Sequence, residues 1–275
     1  MRNAAPVVAL IALAACAAPG GHRAEAHGAQ PPQEPRHIDQ LEPKRLGITV
    51  ATALGAGNVA VHVPGTPLDD RADAWFVKLS GEGTNGAALH VEAWSSETEL
   101  FSGITINDGI APAPGVARLQ GVQVFPHVRI DTMHDAMFHM PLRLGLFVDW
   151  QEIDHDRARV EREWLSLGPK LLFEPTWRVI EHDLWSLDLY GRVGGEIGNA
   201  WFSEQYRGGD DRDSTGRWAG ELGVGVRAEF GGWHAELGYQ LHQTTFGEID
   251  SALYGDRDRT EVQRQQLFLG FAIQL

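Results

Sequence analysis

The chain has 275 residues, 37 acidic against 23 basic side chains, a formal charge of −14, 32 Gly, 9 Trp and one Cys. The acidic balance argues against nucleic acid as a partner, and a single Cys excludes an internal disulfide. Past the N-terminus there is no run of 18 or more apolar residues, which excludes transmembrane helices.

The chain begins as a targeting segment: Arg2 precedes an apolar, Ala-rich run from Pro6 to Ala18. Leu13-Ala14-Ala15-Cys16 lies within that run and resembles the bacterial lipobox, at which a lipoprotein precursor is cut before an acylated Cys. The resemblance implies lipidation of Cys16. Ala15-Cys16-Ala17 and Ala24-Glu25-Ala26 also offer small-x-small sites for ordinary signal peptidase. On either route the chain leaves the cytoplasm, with residues 1–17 as signal peptide. Residues 18–44 are Gly, Ala, His, Pro, Gln and Glu with almost no large apolar side chain, the composition of a flexible periplasmic linker.

Residues 45–275 read as strands separated by turn-rich gaps. Strands are expected at 45–54, 58–64, 73–80, 87–95, 100–107, 116–131, 139–150, 162–174, 184–200, 217–230, 233–246 and 262–275. That makes twelve, and the alternative is a ten-stranded barrel with a periplasmic N-terminal hairpin. Pro126 and Pro169 each remove a ladder donor, so bulges are expected at both. Long or polar gaps at 108–115, 151–161, 201–216 and 247–261 are expected at one end. Shorter ones at 96–99, 132–138, 175–183 and 231–232 are expected at the other.

The clearest stretch is Arg217 to Phe246. Trp218, Leu222, Val224, Val226 and Phe230 share one parity, and Trp233, Ala235, Leu237, Tyr239 and Leu241 continue it after Gly231-Gly232. Charged residues and glycines fill the other parity. Side chains alternate faces along a strand, so each strand has an apolar and a charged face, as in a transmembrane β-barrel. Large side chains crowd one parity and glycine many positions of the other, which points the apolar face to lipid. The lumen then receives Arg143, Asp149, Lys170, Glu174, Asp188, Arg192, Glu196, Glu221, Arg227, Glu229, Glu236 and Arg264. Their signs are mixed, unlike the single-sign ring of an ion-selective pore. Pairs are expected between Arg192 and Glu174 or Glu221, and between Arg227 and Glu236 or Glu196. Trp150, Trp201 and Trp218 fall at one end of their strands and Trp185, Phe230 and Trp233 at the other, as in two interfacial aromatic girdles. Trp94 and Trp164 depart from this pattern, because both sit on the polar parity.

The C-terminal strand, with Leu267, Leu269, Phe271, Ile273 and Leu275 in strict alternation, resembles the assembly signal of bacterial outer-membrane barrels. Members of that superfamily usually end in an aromatic residue, and here Leu275 stands last. The resemblance implies a porin-like, all-β, antiparallel up-and-down barrel in outer-membrane lipid, delivered by the barrel assembly machinery, with both termini periplasmic.

Few constellations suggest chemistry. His242-Gln243-Thr244 approaches the His–Ser spacing of outer-membrane lipid hydrolases, but with Thr for Ser and on the polar parity. His182 and Ser186 flank a turn. His134 to Met140 carries two His and two Met, ligands suited to copper, though a turn alone accounts for them. The acidic segments Gly208–Asp213 and Asp256–Asp258 lack a calcium-loop pattern and are interleaved with Arg212, Arg257 and Arg259. No catalytic residue, metal or cofactor is therefore expected. The expected function is a narrow channel for small solutes or a plugged structural or interaction barrel. A lipid-modifying enzyme and a soluble surface lipoprotein holding an apolar ligand are the alternatives.

Overall fold

The computed structural model describes residues 47–62, 69–98, 117–134, 137–155, 160–206, 209–249 and 259–275. Eleven strands form: β1 (Ile48–His62), β2 (Asp69–Gly83), β3 (Ala87–Thr98), β4 (Ala117–His134), β5 (Phe138–His155), β6 (Val160–Phe173), β7 (Thr176–His182), β8 (Trp185–Tyr206), β9 (Gly209–Phe230), β10 (Trp233–Phe246) and β11 (Thr260–Gln274). All pair antiparallel in one sheet, and the sheet closes on itself through β1–β11 and β4–β5. β7 adds no position to the ring. Phe173 of β6 faces Leu142 and Val193, while Thr176 of β7 faces His139 and Tyr190, which is the same register on both sides. β6 and β7 are one line of wall, interrupted at Glu174-Pro175. The barrel therefore has ten strands.

The expected twelve reduces to ten for two reasons. Within the described residues, the segments expected at 45–54 and 58–64 merge into one strand, β1 (Ile48–His62), whose middle (Ala53, Gly55, Ala56, Gly57) is too small to show alternation. Gly57 is required there, since a Cβ would lie 1.8 Å from the Gln265 carbonyl oxygen of β11. In addition, β3 pairs directly with β4, leaving no place between them for a strand at 100–107, which lies outside the described residues. The alternative count of ten strands is the one observed, but its separate N-terminal hairpin is corrected, because β1 and β2 are both members of the ring.

The prolines do not make bulges. Register is unchanged across Pro126 (Val124 opposite Val148, His127 opposite Gly145) and across Pro169 (Leu167 opposite Asn199, Lys170 opposite Glu196). A local gap in the ladder absorbs each missing N–H, and an adjacent glycine lets the backbones close. A Cβ on Gly145 would fall 2.0 Å from the Pro126 carbonyl oxygen, and one on Gly198 would fall 2.2 Å from that of Leu167. The register shifts lie instead between Asp131 and Met133 and between Arg178 and Ile180.

Ile48 and Leu275 share one end of the barrel, joined by a hydrogen bond from Leu275 N to Ile48 O of 2.9 Å. Tight turns occupy the same end, with Gly86 (φ 79) and Gly231 (φ 62) in the left-handed region where glycine is least strained. At the opposite, loop end, β8 and β9 stay paired out to Tyr206 and Gly209, so most of the gap expected at 201–216 is hairpin. Two further expectations are corrected: residues 175–183 contain β7, and Ser96 lies at the loop end rather than the turn end.

The outer face is the apolar parity. Leu54, Leu79, Leu146, Val193, Ile197, Leu222, Val224, Leu237, Leu267, Leu269 and Phe271 are all exposed, Val224 by 62% and Ile197 by 65%. Exposure on that scale is stable only against lipid, and it defines a membrane-facing wall.

Candidate functional site: the filled lumen

The interior is packed in three layers. At the loop end Val59, Phe76, Trp94, Leu119, Trp164, Phe202, Phe246 and Val262 form a buried apolar cluster. Trp164 lies 5.3 Å from Phe202 and 5.7 Å from Phe246, ring to ring. Trp94 and Trp164 are on the polar parity because they fill this plug.

The middle layer is ionic. Lys170 Nζ on β6 lies 2.7 Å from Glu196 on β8, 2.9 Å from Glu221 on β9 and 2.9 Å from Gln123 Oε1 on β4. Arg217 on β9 reaches Asp149 on β5 and Glu196, each at 2.7 Å. Glu92 on β3 forms ion pairs with Arg264 of β11 (3.4 Å) and Lys78 of β2 (3.5 Å), and Lys78 also bonds Gln240 of β10. Five cations each lie over an inward aromatic ring: Lys78 on Phe268, Lys170 on Phe125, Arg217 on Phe147, Arg227 on Tyr190 and Arg264 on Trp94. Carboxylate on one side and a π face on the other offset the cost of taking these charges out of water.

At the turn end Glu174, at the break between β6 and β7, accepts Arg143 (2.8 Å), Arg192 (2.8 Å) and Arg227 (3.2 Å). Arg192 also lies 3.8 Å from Glu221, and Arg227 lies 3.2 Å from Glu236. Arg178 binds Asp188 at 3.1 Å and Glu229 at 3.2 Å. A polar cavity of about 260 Å³ borders this layer, with His90, His127, His139 and His234 in its wall.

All twelve inward charges expected from the sequence take part in these contacts. Arg192 reaches both of its expected partners. Arg227 reaches Glu236 but meets Glu174 rather than Glu196. Lys78, Glu92, Arg178 and Arg217 join the network as additions, all facing inward, with Lys78 opposite Glu92 and Arg178 opposite Asp188 in register. Alternation is weak around the first two, and the sequence presents Arg178 as part of a turn. The inner glycines also gain a reason: a Cβ on Gly121 would meet Trp94 Nε1 at 2.6 Å, and Cβ atoms on Gly225 and Gly238 would meet Tyr190 Oη at 2.5 and 2.4 Å. The lumen is therefore a mixture of large and small residues, contrary to the expectation from composition. Each of these glycines seats an aromatic ring from another strand.

The girdle residues Trp201, Trp218, Phe230 and Trp233 are exposed on the outer face, and Trp150 and Trp185 are partly so. Trp75 and Trp177 join them, also outward. Leu267, Leu269, Phe271 and Leu275 of the assembly-signal strand are exposed, with Ile273 partly covered. Cys16 and Asp256–Asp258 lie outside the described residues.

Of the chemical candidates, His242 comes closest to a triad. Its Nε2 lies 3.2 Å from Glu196 Oε1 and its Nδ1 3.4 Å from Thr244 Oγ1. Arg264 Nη2, however, donates to Nδ1 at 2.9 Å, taking the lone pair a base would need, and Thr244 is fully buried. His182 stacks on Trp185, whereas Ser186 faces inward to Glu229. His139 borders the cavity while Met137 is exposed, so these two members of the segment from 134 to 140 do not converge on one point. Glu196, Glu221 and His242 do converge, with ligand atoms within 4.8 Å, but the Lys170 ammonium already bridges the two carboxylates.

Apolar wall, interfacial aromatics and ionic interior together define a ten-stranded transmembrane β-barrel with a filled lumen. No family model and no curated protein matches the chain. Among solved structures, it is similar to the outer membrane protease OmpT from Escherichia coli, with a TM-score of 0.50 at 8% identity, covering 85% of this chain and 98% of that one. The translocator domain of the autotransporter NalP from Neisseria meningitidis (TM-score 0.41, 12% identity, 84% and 90% covered) and the P. putida toluene transporter TodX (0.31, 8%, 83% and 90%) also match. At these identities the likeness is one of fold.

Proposed function

We propose that the protein is an outer-membrane barrel of the plugged kind, an anchored structural or interaction barrel rather than an open pore. The observation that carries this reading is the buried ionic layer linking β2, β3, β4, β5, β6, β8, β9, β10 and β11 across the lumen, beneath an apolar plug. A channel would need a water-filled path past Lys170 and Arg217, both almost fully buried. The inert surroundings of His242 and Thr244 favour a non-enzymatic role over lipid hydrolysis. The exposed apolar band disfavours a soluble lipoprotein.

The N-terminal segment, the assembly-signal pattern of the last strand and the shared end of Ile48 and Leu275 support export, insertion by the assembly machinery and periplasmic termini, with Cys16 as a lipid anchor. Purified protein in planar bilayers is expected to give no steady conductance, and epitope tags between Tyr206 and Gly209 should be reachable on intact cells. A stable, ohmic open channel would overturn the closed lumen. Tags hidden on intact cells would overturn the orientation.

A further inference from the structure

The outer wall changes chemistry abruptly across β10, β11, β1 and β2, where residues opposite one another in register form rows. Leu237, Leu269, Leu54 and Val77 make an apolar row within the membrane band. The next outward row toward the loop end is Tyr239, Leu267, Ala56 and Trp75, and the one beyond it is Leu241, Gln265, Asn58 and Asp73. Tyr239 and Trp75 are both exposed and stand three strand spacings apart, about 14 Å. Ala56, beside Trp75, is small and exposed, so the wall is low there. Tyr239 Oη donates to Gln265 Oε1 at 3.3 Å, which holds the carboxamide and leaves its amino group to a ligand. Asn58 and the exposed Asp73 make no side-chain hydrogen bond or ion pair among the described residues. Neither row contains a basic residue. The patch is local: beyond Trp150 the outward positions of β5 and β6 carry Glu152, Asp154, Glu161 and Glu163 instead.

We propose that this face binds the sugar headgroup of a glycolipid in the leaflet at the loop end. The order of groups along the wall carries the assignment. An apolar row, then two amphipathic rings, then amides and a carboxylate match the acyl chains, the apolar faces of pyranose rings and their hydroxyls. Sugar C–H groups pack over Ala56 between Trp75 and Tyr239, rings with one apolar and one wet end. A carboxamide both donates and accepts, as a hydroxyl does, so Gln265 and Asn58 suit a polyol, and Asp73 accepts from a further hydroxyl. A phosphate headgroup would instead call for arginine or lysine. The proposal rests on the transmembrane reading of the barrel and is independent of whether the lumen conducts.

The test is native mass spectrometry of the full chain in dodecyldimethylamine oxide, a detergent without sugar. The protein is titrated with digalactosyldiacylglycerol, an uncharged two-sugar lipid, or with phosphatidylcholine of the same acyl chains. Wild type should bind the digalactosyl lipid about tenfold more tightly, the scale of one or two net hydrogen bonds. Asn58→Leu combined with Gln265→Leu should erase that preference and leave phosphatidylcholine binding unchanged. Equal binding of the two lipids by wild type would overturn the proposal, as would an unchanged preference in the double variant. Should that variant fail to fold, Trp75→Leu decides in the same way, since it removes one stacking face and should reduce the preference. Free lactose should not compete, because the acyl chains hold the lipid to the wall; competition at millimolar lactose would overturn the assignment to a lipid. Wild-type protein that stays monomeric without detergent would instead overturn the membrane reading itself.

Discussion

Arg217→Met is expected to cost about 3–5 kcal/mol of stability, the scale for removing one partner of a buried ion pair. Arg217 and Asp149 are both essentially inaccessible to solvent, and their 2.7 Å contact crosses the lumen from β9 to β5. Without the guanidinium, Asp149 retains, among the described residues, the hydrogen bond from Gln151 Nε2 at 2.8 Å. Glu196 still has Lys170 and His242, so the uncompensated charge falls on Asp149. Adding Asp149→Asn should recover part of the loss, since an amide in that place is cheaper to bury than a carboxylate. The readout is the denaturant midpoint at which the compact, fast-migrating form on unheated gels disappears. A single variant as stable as wild type would mean that the ionic layer does not hold the barrel together.

Arginine on the outer wall should be nearly as damaging, for the opposite reason. Val224→Arg or Leu237→Arg places charge mid-strand on the exposed apolar face. A lipid-facing Arg at the bilayer midplane costs about 2–4 kcal/mol. Gly220→Arg, on the same face of β9 one outward position from Trp218, should cost only about 0–1 kcal/mol because it lies near the interface. A Cβ at Gly220 has open space, so packing does not confound the comparison. Lumen positions serve poorly as controls: Gln240 is buried against Lys78, and a Cβ on Gly223 would crowd Arg192. Equal assembly of Leu237→Arg and Gly220→Arg, measured as the folded fraction in membranes, would contradict the face assignment.

The strands from Arg143 onward are legible in the sequence because large apolar and charged side chains alternate, and that alternation sets which face each charge takes. The first strand is not, since Ala53 to Gly57 carries neither bulk nor charge and its continuity depends on β11 lying against Gly57. β7 is hidden behind Pro175, which reads as a strand end, although Pro175 O still accepts Gly191 N at 2.8 Å and keeps the wall in register. Trp94 and Trp164 look anomalous because the sequence has no marker for height along the lumen. Their place in the apolar plug depends on Phe202 and Phe246, which are distant in sequence. The ion pairs between nearby strands, such as Arg192–Glu174, are within reach of parity and register. Those that cross the lumen, such as Arg217–Asp149, need the closed ring.

The membrane-spanning barrel is tested most directly by a nitroxide scan of β9 in a reconstituted bilayer, with Cys16 replaced and single cysteines at Leu222, Val224 and Val226. The three positions face outward and are paired in register with β8 and β10. All three labels should relax strongly with oxygen and weakly with a water-soluble nickel complex, because the wall they occupy is in lipid. Strong relaxation by the aqueous reagent at Val224 would contradict the membrane-spanning barrel.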